Sequence, residues 1–278
     1  MIINIHELKE KDHVAYNLVK ASWIQKSIRR GENSKALAIA DLYINDNQEK
    51  GLIRRLKVFA TEDIGFGNTD VLKDMKNLNY DPFKCINLLS QSFKNREVDR
   101  FLLQIDRNFN NYQNIIELKS ETYNLKKLLN ISEEWFKNKR IKKNKNRIFN
   151  FIELLKEKYN TDEYQNELID IALQHYFDLS KFKTLGARTN LSFIVLMITR
   201  GVNQNKFNNK IDLNYSQREE LSIVDDWAID KHTPFGKKLN RDYDFWLKHG
   251  SVVSPEIFYD ELFYLDSKGV KKEKYPNL

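Results

Sequence analysis

Only nine glycines and four prolines punctuate these 278 residues, and that scarcity constrains the fold more than any other feature. Tight turns draw on glycine and proline, and a sheet-rich chain needs many tight turns. A chain with so few is built from long helices joined by short polar connections. Apolar residues make up 41% of the sequence, among them 17 Phe, 13 Tyr and 4 Trp. That is enough to fill a core and excludes global disorder. The expected class is all-α: a multi-helix domain with a second helical part.

Periodicity locates the helices. Ala15, Leu18, Val19, Ser22 and Trp23 recur at three- and four-residue spacing, and the helix they define carries Lys26, Arg29 and Arg30 in its last turns before Gly31. Cations there offset the helix dipole, and glycine supplies the left-handed residue that ends the helix. Asn33 or Ser34 is the expected cap of a second helix with Ala36, Leu37, Ala40 and Ile44 inward. A third is expected over about 49–64, with Leu52, Leu56, Phe59 and Ala60 on its apolar face. Pro82 suits a first helical turn ahead of Ile86, Leu89 and Phe93. Further stripes run over 98–109 and 118–129, and Ser132 reads as a cap before Trp135. Ile148, Ile152, Leu155 and Tyr159 share one face, and Thr161 or Asp162 caps a helix through Leu168, Ala172 and Tyr176. The stretch 181–200 is apolar nearly all round, as a central helix is. After a polar loop over 203–213, Ser216 is expected to cap a last helix through Leu221, Val224 and Ala228, and the tail from Lys268 to be frayed.

The single cysteine, Cys85, has no internal partner, which points to a reducing compartment and a buried thiol. The N-terminal MIINIHELKEKD becomes charged too soon for a secretory signal, and the longest apolar run, 193–198, is too short to span a bilayer. A cytoplasmic protein with no membrane partner and no cofactor is expected. The formal charge of +7 suits an anionic partner. A·T-rich coding, which raises lysine, asparagine and isoleucine together, accounts for part of it.

Two stretches concentrate cations. Lys137, Lys139, Arg140, Lys142, Lys143, Lys145 and Arg147 contain no acid among them, so this run is either a solvated connection or a nucleic-acid patch. Nearer the C-terminus, Asp225-Asp226-Trp227-Ala228-Ile229-Asp230-Lys231-His232-Thr233 leads into Gly236-Lys237-Lys238, Arg241, Phe245-Trp246 and Lys248-His249. Lys231, His232, Lys237, Lys238 and Arg241 could track a phosphate backbone while the aromatic residues stack on bases. Asp226 and Asp230, four apart and expected on one helix face, could instead bind a metal with His232. No second histidine or cysteine stands nearby to complete that set. His232 and Thr233 serve equally well as a cap and loop tie.

The most informative stretch is Ala21-Ser22-Trp23-Ile24-Gln25-Lys26-Ser27-Ile28-Arg29-Arg30-Gly31, then Ala36-Leu37, Ile53-Arg54-Arg55-Leu56 and Phe59-Ala60-Thr61-Glu62-Asp63-Ile64-Gly65. It resembles the helical region that follows the ATPase core in the replication-associated recombination ATPases, the MgsA/RarA and Werner-helicase-interacting-protein family. The match is strongest over 20–68. The resemblance implies a helical scaffold related to the clamp-loader collar, one that builds a tetramer in that family. The 225–241 segment more loosely resembles stand-alone, often phage-borne, relatives. The ATPase engine is missing: no G-x-x-x-x-G-K-[ST] occurs, and Gly236-Lys237 lacks both the upstream glycine and the following Ser or Thr.

Lys26, Arg29, Arg30, Arg54, Arg55, Glu62 and Asp63 therefore admit two readings. Helical hairpins could close an arginine–carboxylate network that fixes packing, or the cations could meet DNA or a neighbouring subunit. The expected organisation is a family-like helical domain over 1–136, a basic connection over 137–147, and a second helical part over 148–278, separate from the first or packed with it. The expected function is a non-catalytic oligomerisation and interaction module in DNA replication or recombination. Its partners would be a second copy, a replication ATPase or clamp, and DNA. The alternatives are a single-stranded or junction DNA-binding protein and, further off, a metal-dependent nuclease.

Overall fold

The computed structural model describes residues 2–98, 101, 141–181, 185–202, 210–258, 263–265 and 271–273. The fold is all-α. Helix α1 (Ile5–Lys11) is capped by the Asn4 side chain, which accepts from the His6 and Glu7 amides. Asp12 caps α2 (His13–Arg30), and Gly31, at φ 72°, ends it. α3 (Asn33–Asn45) starts at Asn33 itself, so neither Asn33 nor Ser34 is its cap; Glu32 holds that position without a side-chain bond. α4 (Glu49–Phe59) widens into a π turn over Ala60–Ile64 and then a 3₁₀ turn over Gly65–Gly67. α5 (Val71–Asn77) and α6 (Pro82–Gln91) follow, the latter capped by Asp81 with Pro82 in its first turn. The expected stripes over 102–129 and the cap at Ser132 lie outside the described residues.

The second half contributes three long helices: α7 (Ile141–Tyr159), α8 (Glu163–Ser180) and α9 (Leu185–Arg200). Asp162 and Gln165 form a reciprocal capping box at the start of α8. α8 and α9 pair along their lengths, α9 crosses α4 and its π turn, and α8 touches α5. One continuous core results, running from Trp23, Ile24, Leu37 and Leu56 to Ile152, Ile169, Phe193 and Ile194. The two parts thus pack as one unit in the described residues. The backbone from Ile141 to Arg147 belongs to α7, so the latter part of the basic run is helix, not a connecting linker. Among the described residues no helix is long and apolar enough to cross a membrane.

The region after α9 departs from expectation. No helix starts at Ser216. Residues 222–224 run extended against the N-terminus: the Ile5 amide donates to the Ser222 carbonyl and the Val224 amide to the Ile3 carbonyl, both at 2.9 Å. Val224 is buried while its neighbour Ile223 faces outward, since adjacent side chains of an extended chain point to opposite sides. The 3–4 spacing of Leu221, Val224 and Ala228 suggested a helix, but backbone pairing with Ile3 and Ile5 stabilises the extended form. Asp226–Ala228 is a single 3₁₀ turn, so Asp226 and Asp230 share no helix face. Beyond it come the short helices α10 (Pro234–Lys238) and α11 (Tyr243–Phe245), the latter continuing as a π turn over Trp246–Gly250. A small antiparallel pair joins β1 (Phe263–Leu265) to β2 (Lys271–Glu273), and β2 falls in the tail expected to fray from Lys268.

Candidate functional site

Asp63 is the pivot of the interior. The π turn, closed by the Gly65 amide donating to the Ala60 carbonyl, leaves Glu62 partly exposed and turns Asp63 fully inward. There its carboxylate accepts from Arg29 Nε at 2.7 Å and Gln25 Nε2 at 3.0 Å, with Arg96 Nε 3.6 Å away. Glu62 accepts from Gln25 at 3.0 Å and stands 3.9 Å from both guanidinium groups. Burial alone would raise the Asp63 pKa; the charges of Arg29 and Arg96 outweigh it and hold the carboxyl below the usual carboxylate range.

The same helix α2 holds the C-terminal segment. Trp23 Nε1 donates to Asp225 at 2.8 Å, and Ser22 Oγ donates to the Ala228 carbonyl at 2.7 Å. Lys26 Nζ reaches Asp230 at 2.7 Å and Ser22 Oγ at 2.7 Å. Arg29 donates to the Gly250 carbonyl at 2.9 Å, and Arg30 to the His249 carbonyl at 2.6 Å while lying over the Trp227 ring. Burial pulls the Lys26 pKa down to about 8, with Asp230 restoring part of the loss. Burial would raise Asp230, but the His232 hydrogen bond and the Lys26 charge bring it well below its ordinary value. The pair is therefore ionised near neutral pH. The two sequence constellations, over 21–31 and 225–250, are the two sides of one buried interface.

Inside the C-terminal segment, Thr233 caps α10 by accepting from the Gly236 amide at 3.0 Å and donates to the Asp230 carbonyl at 2.9 Å. Gly236 is required there, because a Cβ would fall 1.7 Å from that carbonyl oxygen. Arg241 donates to the carbonyls of Asp226 and Ile229 and pairs with the Asp226 carboxylate. His232 Nδ1 lies 3.2 Å from the Asp230 carboxylate, which orients the ring while 60% of the side chain stays exposed.

On the outer side of this lobe, cations lie on aromatic rings. Lys231 Nζ is 4.4 Å from the Tyr243 ring centroid and 5.2 Å from that of Trp246, and the two rings are 5.3 Å apart. Trp246 meets His232 edge-on at 6.1 Å and has the buried Arg96 on its inner side at 5.6 Å. Lys237, Lys238, Lys248 and Tyr243 are exposed, and so are Asp242 and Asp244. Lys231, Lys237 and Lys238 form no ion pair among the described residues; Lys248 stands 3.6 Å from Asp244.

Other expected residues go elsewhere. Arg54 and Arg55 do not join Asp63 but line an open cavity of about 1070 Å³ with Asn17, Gln25, Tyr43 and Leu179. Lys137, Lys139 and Arg140 lie outside the described residues, as do the side chains of Lys142, Lys143, Lys145 and Arg147. Asp226 and Asp230 point to Arg241 and Lys26, and among the described residues no three His, Cys, Asp or Glu side chains are placed to hold a metal.

Sequence reasoning missed several buried cations. Lys20 lies between the Tyr16 and Tyr43 rings, 4.4 and 4.3 Å from their centroids, and pairs with Asp46. Lys94 donates to the carbonyls of Leu89, Ser90 and Ser92 at 2.6–3.0 Å, closing the end of α6. Arg96 joins the Asp63 network. No local signal marks Lys94 and Arg96, which stand in the polar run Ser90-Gln91-Ser92-Phe93-Lys94-Asn95-Arg96-Glu97. No known protein family, characterised protein or solved structure matches this chain.

Proposed function

We propose that this chain is a non-catalytic scaffold of the DNA-replication or recombination machinery, a collar-like module that acts through its partners. The observation that carries this reading is the buried interface on α2. The residues that resemble the recombination ATPases, Lys26, Arg29 and Arg30 with Glu62 and Asp63, are engaged in joining α2 to the π turn and to residues 225–250. Charged groups committed to packing in this way describe a scaffold, because a group that shuttles protons or phosphate must reach its substrate. These 278 residues hold no phosphate-binding loop, so on this reading they serve an ATP-driven step by meeting an ATPase or a clamp. A second copy is the other partner that the resemblance implies.

Affinity capture of the intact chain from its native cells, paired with light scattering at defined concentration, tests the reading. Recovery of a replication or recombination ATPase, or of a sliding clamp, is the expected result. A monomer that brings down neither replication proteins nor DNA overturns it.

A further inference from the structure

We propose that the outer surface of residues 231–249 binds single-stranded nucleic acid, with Tyr243 and Trp246 as a stacking platform and Lys231, Lys237 and Lys238 as phosphate contacts. The proposal deepens the scaffold reading by naming the ligand that such a module would carry, and it rests on that reading only for its biological setting.

Three features of the surface lead to this ligand. The first is uncompensated charge: Lys231, Lys237 and Lys238 have no carboxylate within ion-pair distance among the described residues, so a bound phosphate costs no existing pair. The second is the platform. Tyr243 is 42% exposed, and its ring adjoins that of Trp246 at a tilt of 35°. In the free protein the Lys231 ammonium covers both rings. A base laid on them replaces the ammonium, which swings out to the phosphate on the same nucleotide. Both exchanges conserve an interaction. The third is rigidity: Asp230 on Lys26, Thr233 on Gly236 and Arg241 on Asp226 fix the lobe before any ligand arrives. Little ordering entropy is then lost on binding.

Single strands fit this chemistry better than duplex. Base faces in a duplex are covered by their neighbours, so exposed rings have nothing to stack on, whereas an open strand presents a face at every base. The exposed Asp242 and Asp244 flank the platform and repel a second phosphate track, which shortens the footprint to a few nucleotides.

The test is a fluorescence-anisotropy titration of the whole chain at low salt against labelled oligo-dT and oligo-U of ~12 nucleotides, in the range such platforms cover. A hairpin duplex and poly-glutamate serve as comparisons. The expected result is tighter binding to either single strand than to the duplex; whichever of dT or U binds more tightly identifies the source. Tyr243→Ala should weaken binding by about 5- to 150-fold, the cost of losing a stacked base. Lys237→Glu with Lys238→Glu should flatten the salt dependence of log K by about 1.4, two phosphates' worth. Tyr243, Lys237 and Lys238 are exposed, so circular dichroism of these variants should match the parent.

Equal or tighter duplex binding, unchanged affinity in both variants, or competition by poly-glutamate as strong as by oligo-dT would each overturn the proposal. Absence of any single-strand binding does so too, and leaves the scaffold reading standing if replication proteins are still captured. Tyr243-dependent binding without such capture overturns the scaffold reading alone.

Discussion

Asp63→Asn and Glu62→Gln each remove one negative charge, from adjacent residues facing the same two arginines, yet their costs should differ several-fold. Asp63 is fully buried, with Arg29 Nε at 2.7 Å and Arg96 Nε at 3.6 Å. Its amide variant takes from the buried Arg29 the carboxylate 2.7 Å away, a loss of about 3–5 kcal/mol. Glu62 keeps 24% of its side chain in solvent and stands 3.9 Å from each arginine, a geometry worth about 0–1 kcal/mol. The larger figure is a fifth or more of the roughly 5–15 kcal/mol that holds a typical domain together. Urea unfolding followed by circular dichroism reads both losses. The wild-type advantage over Asp63→Asn should persist at pH 5 and above. It should shrink only as the pH falls below about 3.9, where the unfolded carboxyl takes up its proton first. Equal costs for the two variants, or a loss under about 1 kcal/mol for Asp63→Asn, would refute the argument that Arg29 depends on this buried carboxylate.

Lys26→Met and Asp230→Asn should each destabilise the chain by about 3–5 kcal/mol, and the double variant by clearly less than their sum, since each single change strands a buried charge; a denaturation-based double-mutant cycle measures the coupling. His175 is buried against Tyr80, with its Nε2 at 2.8 Å from the hydroxyl and its Nδ1 without a partner. Burial first, then the Lys57 charge, pulls its pKa down to about 3, so the unfolded state binds the proton first as pH falls from about 6.5. Stability should drop by about 2 kcal/mol between pH 6.5 and 5, and the drop should be smaller in His175→Leu, as urea midpoints at the two pH values will show. Gly236→Ala should release the 225–250 lobe while the core helices survive, because the new Cβ would overlap the Asp230 carbonyl; limited proteolysis should then cut within the lobe and spare α2–α9.

The long helices were legible because burial imprints its period on the sequence. The stripes at Leu52–Leu56–Phe59 and Ile148–Ile152–Leu155 recur as buried faces, and Pro82 and Asp162 start helices as capping chemistry requires. The strap over 222–224 was not legible. Its partners, Ile3 and Ile5, are more than two hundred residues away, and Leu221, Val224 and Ala228 mimic a helical stripe by coincidence of spacing. For the same reason the charges of α2 were grouped with Glu62 and Asp63 alone. Arg29 does meet Asp63, but Lys26 and Arg30 meet Asp230 and His249, residues that had been read as a separate constellation. Local periodicity carries no information about which distant carboxylate a lysine will find.

The join between α2 and residues 225–250 has a temporal side. Lys26 and Arg29 of α2 are made some 202 and 221 residues before the Ala228 and Gly250 carbonyls they bind. At roughly 5–20 residues per second the wait is on the order of 10–40 s. Throughout it, the outer flank of α2 around Ser22, Trp23 and Lys26 stands open on the nascent chain. The segment that closes it emerges some two hundred residues later, so a ribosome stalled before residue 225 would display a helix whose cations and indole still await their partners.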